Sequence, residues 1–148
     1  MTVAASARRA QFLRESVLAA SPGRLVVMLY DRLALDLERA GAASAAGDRS
    51  GAAQHAGHAQ DVLAELMSSL DLEAWDGAPQ LFALYTHLLT ETMAATIALD
   101  TERFATCRAH IAELRDAWHG ALHEIDIEAA GVPAPARTVG PRGDLGIA

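Results

Sequence analysis

Six histidines, one cysteine and 19 carboxylates supply the candidate chemistry of this 148-residue chain, and their spacing narrows it quickly. His119 and His123 stand four apart, which puts two imidazoles on one helix face within reach of a single metal ion. His55 and His58 form a second pair, with Asp61 and Glu65 continuing the same polar face. Bundles that hold two metals among carboxylates use Glu-x-x-His on two helices and a Glu from each of the others. No Glu-x-x-His occurs here. Both pairs therefore read as solvated polar faces, and neither a metal nor another cofactor is expected.

Cys107 falls between Phe104 and Ile111 on an apolar helical seam, so it reads as a small buried hydrophobe rather than a nucleophile. There is no Gly-rich phosphate loop and no Gly-x-Ser-x-Gly. Asp31, Asp36 and Glu38 lie beside Arg32 and Arg39 and read as paired helix surface charge. No catalytic residue is expected. The lone cysteine excludes an internal disulfide and suits a reducing compartment. A net charge of −7, with only Arg8, Arg9 and Arg14 clustered, argues against nucleic acid or an anionic membrane as a partner. Arg8-Arg9 ahead of Phe12-Leu13 has a little of a twin-arginine export signal. Arg14, Glu15 and the Ser21-Pro22-Gly23-Arg24 break interrupt the apolar region such a signal needs. No stretch approaches the ~18 apolar residues of a membrane span. A cytoplasmic location is expected.

The elements that would carry these residues are all helical. Ser21 offers a side-chain cap and Pro22 suits the first helical position, so a helix is expected from Pro22 to about Ala40. Its apolar residues Val26, Leu29, Leu33, Leu37 and Ala40 share one stripe. Gly41 to Gly47 reads as a turn. Asp48 then caps a second helix with the seam Ala52, Ala56, Ala59, Leu63, Leu66 and Leu70. The central break spans Leu72 to Pro79. A third helix, from Pro79 to Leu99, should bury Leu81, Leu84, Tyr85, Leu88, Ala95 and Leu99. Asp100-Thr101 turns tightly into a fourth, whose seam is Phe104, Cys107, Ile111, Leu114, Trp118, Ala121 and Ile125. Trp118 is expected mostly buried. Short turns between ~30 Å helices imply antiparallel neighbours. The expected fold is all-α, an antiparallel up-down four-helix bundle over residues 21–128, with a short N-terminal helical arm (1–20) and a disordered Pro/Gly-rich tail (129–148).

Two features exceed structural need. Met28 and Leu35 lie opposite the buried stripe, among Arg24, Asp31 and Glu38, with Val27 toward one flank, and suit the floor of a groove for a partner helix. In the arm, Phe12, Leu13, Val17 and Leu18 make a short amphipathic segment with a helix expected between Ser6 and Leu18. It is too short to be stable alone, so it is expected to act as a lid hinged before Pro22.

The string Phe12-x-x-x-x-Val17-x-x-Ala20-Ser21-Pro22-Gly23-x-Leu25-x-x-Met28-Leu29-Tyr30-Asp31 resembles the N-terminal signature of the flagellar secretion chaperones, the FliS family. Ala59-Gln60-Asp61-Val62-Leu63-Ala64-Glu65-Leu66 with Ser69-Leu70-Asp71-Leu72-Glu73, then Leu84-Tyr85, then Leu114-Arg115-Asp116-Ala117-Trp118, are similar to its later helices in order and spacing. Phe12 stands where the family usually has Tyr, Arg32 where it usually has Gly, and the turn from Trp75 to Pro79 also departs. The resemblance implies a cytosolic export chaperone that binds the disordered C-terminal segment of flagellin, prevents premature polymerisation and delivers it to the flagellar export gate. The partner-binding set expected from the signature and the helical wheel is Phe12, Val17, Leu25, Met28, Tyr30, Asp31 and Leu35. A monomer or weak homodimer is expected. The alternative is a self-associating or regulatory four-helix module unrelated to secretion, and a third reading is a metal-binding bundle using His119 and His123.

Overall fold

The computed structural model describes residues 3–9 and 22–129, with side chains at 3–9 and 23–124. Ser21, the expected cap, and the arm residues from 10 to 20 lie outside the described residues, as does the tail from 130 onward. A first short helix, α1, covers residues 3–9. Four long helices follow: α2 (Pro22–Ala45), α3 (Arg49–Ser69), α4 (Ala78–Ala98) and α5 (Thr101–Ala129). No strand occurs among the described residues.

Local chemistry sets the helix ends. Asp48 accepts the Gly51 amide at 2.9 Å and Asp100 accepts the Arg103 amide at 3.1 Å, so each cap occupies one of the amides a helix start leaves unpaired. The two-residue turn between α4 and α5 closes through Leu99 in the left-handed region, with the Asp100 amide bonded back to the Ala95 carbonyl. Gly47 takes the other positive φ, at the turn out of α2.

α2 packs closely on both α3 and α5, and α4 closes the ring through the same two helices. Thus α2 and α4 occupy opposite corners. Residue pairs across α2 and α5 show the antiparallel register directly: Gly23 meets Leu122, Asp31 meets Arg115, Glu38 meets Arg108 and Gly41 meets Phe104. At Gly23 a Cβ would stand 2.8 Å from a Leu122 methyl, an approach that a shift of the flexible leucine side chain would relieve.

Several expected positions move. α2 continues to Ala45 rather than stopping at Ala40, because Gly41 packs against Phe104 and a run of good helix formers follows. The inward seam of α2 is Val27, Tyr30, Leu33, Leu37 and Ala40; Val26 and Leu29 are only partly buried beside it. Val27 therefore belongs to the core and not to the flank of the exposed stripe. On α3, Ala52, Ala56, Ala59, Leu63 and Leu66 are buried as expected, with Leu70 partly so. On α4, Leu84 and Leu99 are only partly buried, while Ala78 and Thr92 join the core. On α5, Phe104, Cys107 and Ile111 are buried, Leu114 and Trp118 are partly buried, and Ala121 is exposed. The cause is drift: a strict seven-residue repeat turns about 20° per heptad around a straight helix, and by the third heptad Leu122 has replaced Ala121 inward. The Ile125 side chain lies outside the described residues.

Tyr30 of α2 and Tyr85 of α4 meet across the bundle diagonal, hydroxyl to hydroxyl at 2.6 Å. Trp118 of α5 packs edge-on against the Tyr30 ring at 6.5 Å. Replacing Tyr30 with Phe leaves the Tyr85 hydroxyl buried without its partner, an expected loss of ~1–3 kcal/mol. Removing both hydroxyls should cost less than the sum of the single changes, as urea unfolding of the two single variants and the double variant would show. Burial also pushes both hydroxyls above the ordinary value of 10.0. A group raised in the folded state stabilises fully below its unfolded pKa and loses that contribution as pH rises past it. Stability should therefore hold to about pH 10 and fall above it, less steeply in the Tyr30→Phe/Tyr85→Phe chain.

Candidate functional site

With the core on its inner side, α2 turns Arg24, Met28, Asp31, Leu35, Glu38, Ala42 and Ala45 outward at alternating steps of four and three. Met28 is 44 % exposed and Leu35 36 %. Leu25, 38 % exposed, lies one step round the helix toward α3. Along α5 the facing row is Thr101, Ala105, Arg108, Ala112 and Arg115, two cations among small residues. Each cation reaches a carboxylate on α2: Arg115 Nε lies 2.8 Å from Asp31 and Arg108 3.9 Å from Glu38. Asp31 pushes the Arg115 guanidinium above its ordinary value, chiefly through that hydrogen bond. Between the helices, Leu37, Gly41, Ala42, Ala45 and Ala105 floor an open cleft of about 210 Å³ whose rim is Glu38 and Arg108.

These placements sort the expected partner-binding residues. Leu25, Met28, Leu35 and Asp31 are on the surface, Asp31 already engaged by Arg115. Tyr30 is fully buried and bonded to Tyr85, so it offers no surface; its ring serves the core seam. Phe12 and Val17 lie outside the described residues.

A second apolar face was absent from the single-stripe reading. On α4, Phe82, Leu89, Met93 and Ile97 run along one outward flank, with Met93 and Ile97 well exposed. Sequence pattern alone hides it because α4 carries apolar residues on nearly every face, and such a helix does not declare which of them are inside.

The polar residues also divide unexpectedly. His119 and His123 are both exposed on α5. Asp36, expected on the surface, is fully buried: it faces α3, and Arg32 reaches it from one turn earlier at 3.1 Å. His55 is partly buried rather than solvated, and comes with His58 to the vicinity of Asp36, while Asp61 and Glu65 remain exposed. Cys107 is buried as expected, and burial pushes its thiol above the ordinary range.

The fold is a helical bundle that leaves apolar side chains outside its core on two helices, α2 and α4. Residues 4–125 match the family described as Flagellar protein FliS. The chain belongs to the FliS family, whose members serve flagellar biogenesis as export chaperones. A search of curated proteins finds no match. No helix among the described residues is long and apolar enough to cross a membrane.

A buried thiol held protonated should react slowly. Ellman's reagent at pH 8 should modify Cys107 only at the rate the bundle opens, and at once in denaturant. Immediate full reaction of the native chain would mean that the Phe104–Ile111 segment of α5 is not packed as described.

Proposed function

We propose that this chain is a cytoplasmic chaperone that holds the disordered C-terminal segment of flagellin, keeps it from polymerising early and passes it to the flagellar export gate. The observation that carries this reading is the placement of two apolar faces on opposite corners of the bundle. Met28 and Leu35 crest α2, and Met93 and Ile97 crest α4. A compact partner docks on one side. Only a long flexible chain touches both corners, and disordered segments bind by wrapping in this way. Methionine on each face suits a client whose side chains vary, because the thioether adapts. The cleft between α2 and α5, floored by alanine and glycine, has room for backbone to approach closely, and its two ion pairs supply polar partners along the rim. The arm residues Phe12 and Val17 are further proposed contacts, in a lid displaced by the client.

The test is titration calorimetry with a synthetic flagellin C-terminal segment. Met28→Lys/Leu35→Lys and Met93→Lys/Ile97→Lys should each weaken binding at least about tenfold, or ~1.4 kcal/mol, and leave the melting temperature nearly unchanged. If both double variants bind as the parent does, the wrapping reading fails. If instead they only alter the apparent mass on size exclusion, the apolar faces are seams between copies of this chain.

A further inference from the structure

We propose that Asp36, His55 and His58 form a binding site for one divalent transition-metal ion, Zn²⁺ or a metal of similar preference, bridging α2 and α3. The three side chains come from two helices, and one ligand atom of each lies within 4.8 Å of the others. Four-coordinate zinc with bonds of ~2.0–2.1 Å sets its ligand atoms roughly 3.4 Å apart, so small side-chain rotations close the set. The spacing of the two histidines, three residues along one helix, presents both imidazoles to the same side. Their rings stand nearly perpendicular, at 80°, with centroids 6.4 Å apart.

Two independent observations point to a ligand. The Asp36 carboxylate is fully buried, Arg32 occupies only its Oδ2, and Oδ1 has no hydrogen-bond partner. His55 Nδ1 is likewise buried and unpartnered. Bare polar atoms inside a protein are costly, and the two residues that carry them each bring a ligand atom within 4.8 Å of the other's. They make no hydrogen bond with each other. His58 stands exposed at the mouth, giving the ion an entry path and leaving a coordination position for water.

The donor set decides the metal class. Two imidazoles and one carboxylate favour Zn²⁺, Co²⁺ or Ni²⁺ and disfavour Mg²⁺ and Ca²⁺, which prefer oxygen throughout. Arg32, holding Oδ2, would orient the carboxylate with Oδ1 toward the ion, as partners outside a metal site commonly do. The bridge would tie α2 to α3 along a seam that begins with Ala52, Ala56 and Ala59. This site is separate from the surfaces proposed for the client.

The experiment uses the full chain without a histidine tag, stripped of metal, and titrates it with Co²⁺ and then Zn²⁺. One equivalent of Co²⁺ should give visible d–d absorption that one equivalent of Zn²⁺ removes, and saturating Zn²⁺, but not Mg²⁺, should raise the melting temperature. His58→Ala, whose side chain is exposed and whose loss leaves the core intact, should weaken Co²⁺ binding at least about tenfold and abolish the thermal shift. Asp36→Asn should do the same, while His119→Ala/His123→Ala should bind as the parent. No absorption at one equivalent, unchanged affinity in His58→Ala, or affinity that follows His119 and His123 would each overturn the proposal.

Discussion

The hydroxyl contact between Tyr30 and Tyr85 is the constraint on which the outer surface of this bundle depends. Apolar seams attract without direction, and a helix whose buried positions are leucine and alanine can rotate by a fraction of a turn at small cost. A 2.6 Å bond between two buried hydroxyls cannot be kept through such a rotation. It ties α2 to α4 across the diagonal, and Trp118 against Tyr30 brings α5 into the same arrangement. Once α2 is turned so that Tyr30 points inward, Met28 and Leu35 must crest toward solvent. Asp31 and Glu38 then face Arg115 and Arg108, and Asp36 turns toward α3. The surface is thus a consequence of one interior contact.

Legibility followed the strength of periodic signal. The α3 seam, the first half of the α5 seam, the cap at Asp48 and the number of long helices were legible because period and capping chemistry are local, while the cap of α5 stays open in the sequence between Asp100 and Thr101. Rotation about a helix axis was not. Val26 and Leu29 compete with Val27 and Tyr30 for the inward side of α2, and the sequence is apolar at all four. The tyrosine bond settles the matter only when α4 is present. The same ambiguity buried Asp36, since a carboxylate with an arginine four residues earlier reads as surface charge when no second helix is considered. Along α5 the strict heptad does not persist into the third repeat, where the inward position drifts from Ala121 to Leu122. Of the binding surface, the α2 crest was visible as apolar residues out of phase with the core. The α4 flank was not, because a helix apolar all round offers no contrast.

Burial of Asp36 shows how tertiary context gives a residue a different electrostatic setting. Half of its carboxylate is answered by an arginine that is itself half in water, and the other half meets no donor. Such a group is tolerated where something else satisfies it or where the cost is spread over a well-packed seam. The neighbouring α3 seam combines Ala52, Ala56 and Ala59 with Leu63 and Leu66, and α2 packs as closely on α3 as on α5.

A chaperone for an unfolded segment faces opposed requirements. It must expose apolar surface for its client, yet a single exposed patch large enough to hold a chain firmly would also hold a second copy of itself. Dividing that surface between opposite corners resolves the conflict physically. Each corner carries two well-exposed large apolar side chains, whereas stable protein pairs bury roughly 800 Å² per partner. The Asp31–Arg115 and Glu38–Arg108 pairs border the α2 crest and would be desolvated in any face-to-face dimer at little gain. A net charge of −7 adds repulsion between copies. A tethered chain escapes these penalties. Once its first turn has docked on one corner, the rest is held at high local concentration near the other, so two weak contacts combine into one firm hold. On the proposed reading, the geometry that would discourage self-association is the same geometry that would reward a long, flexible partner.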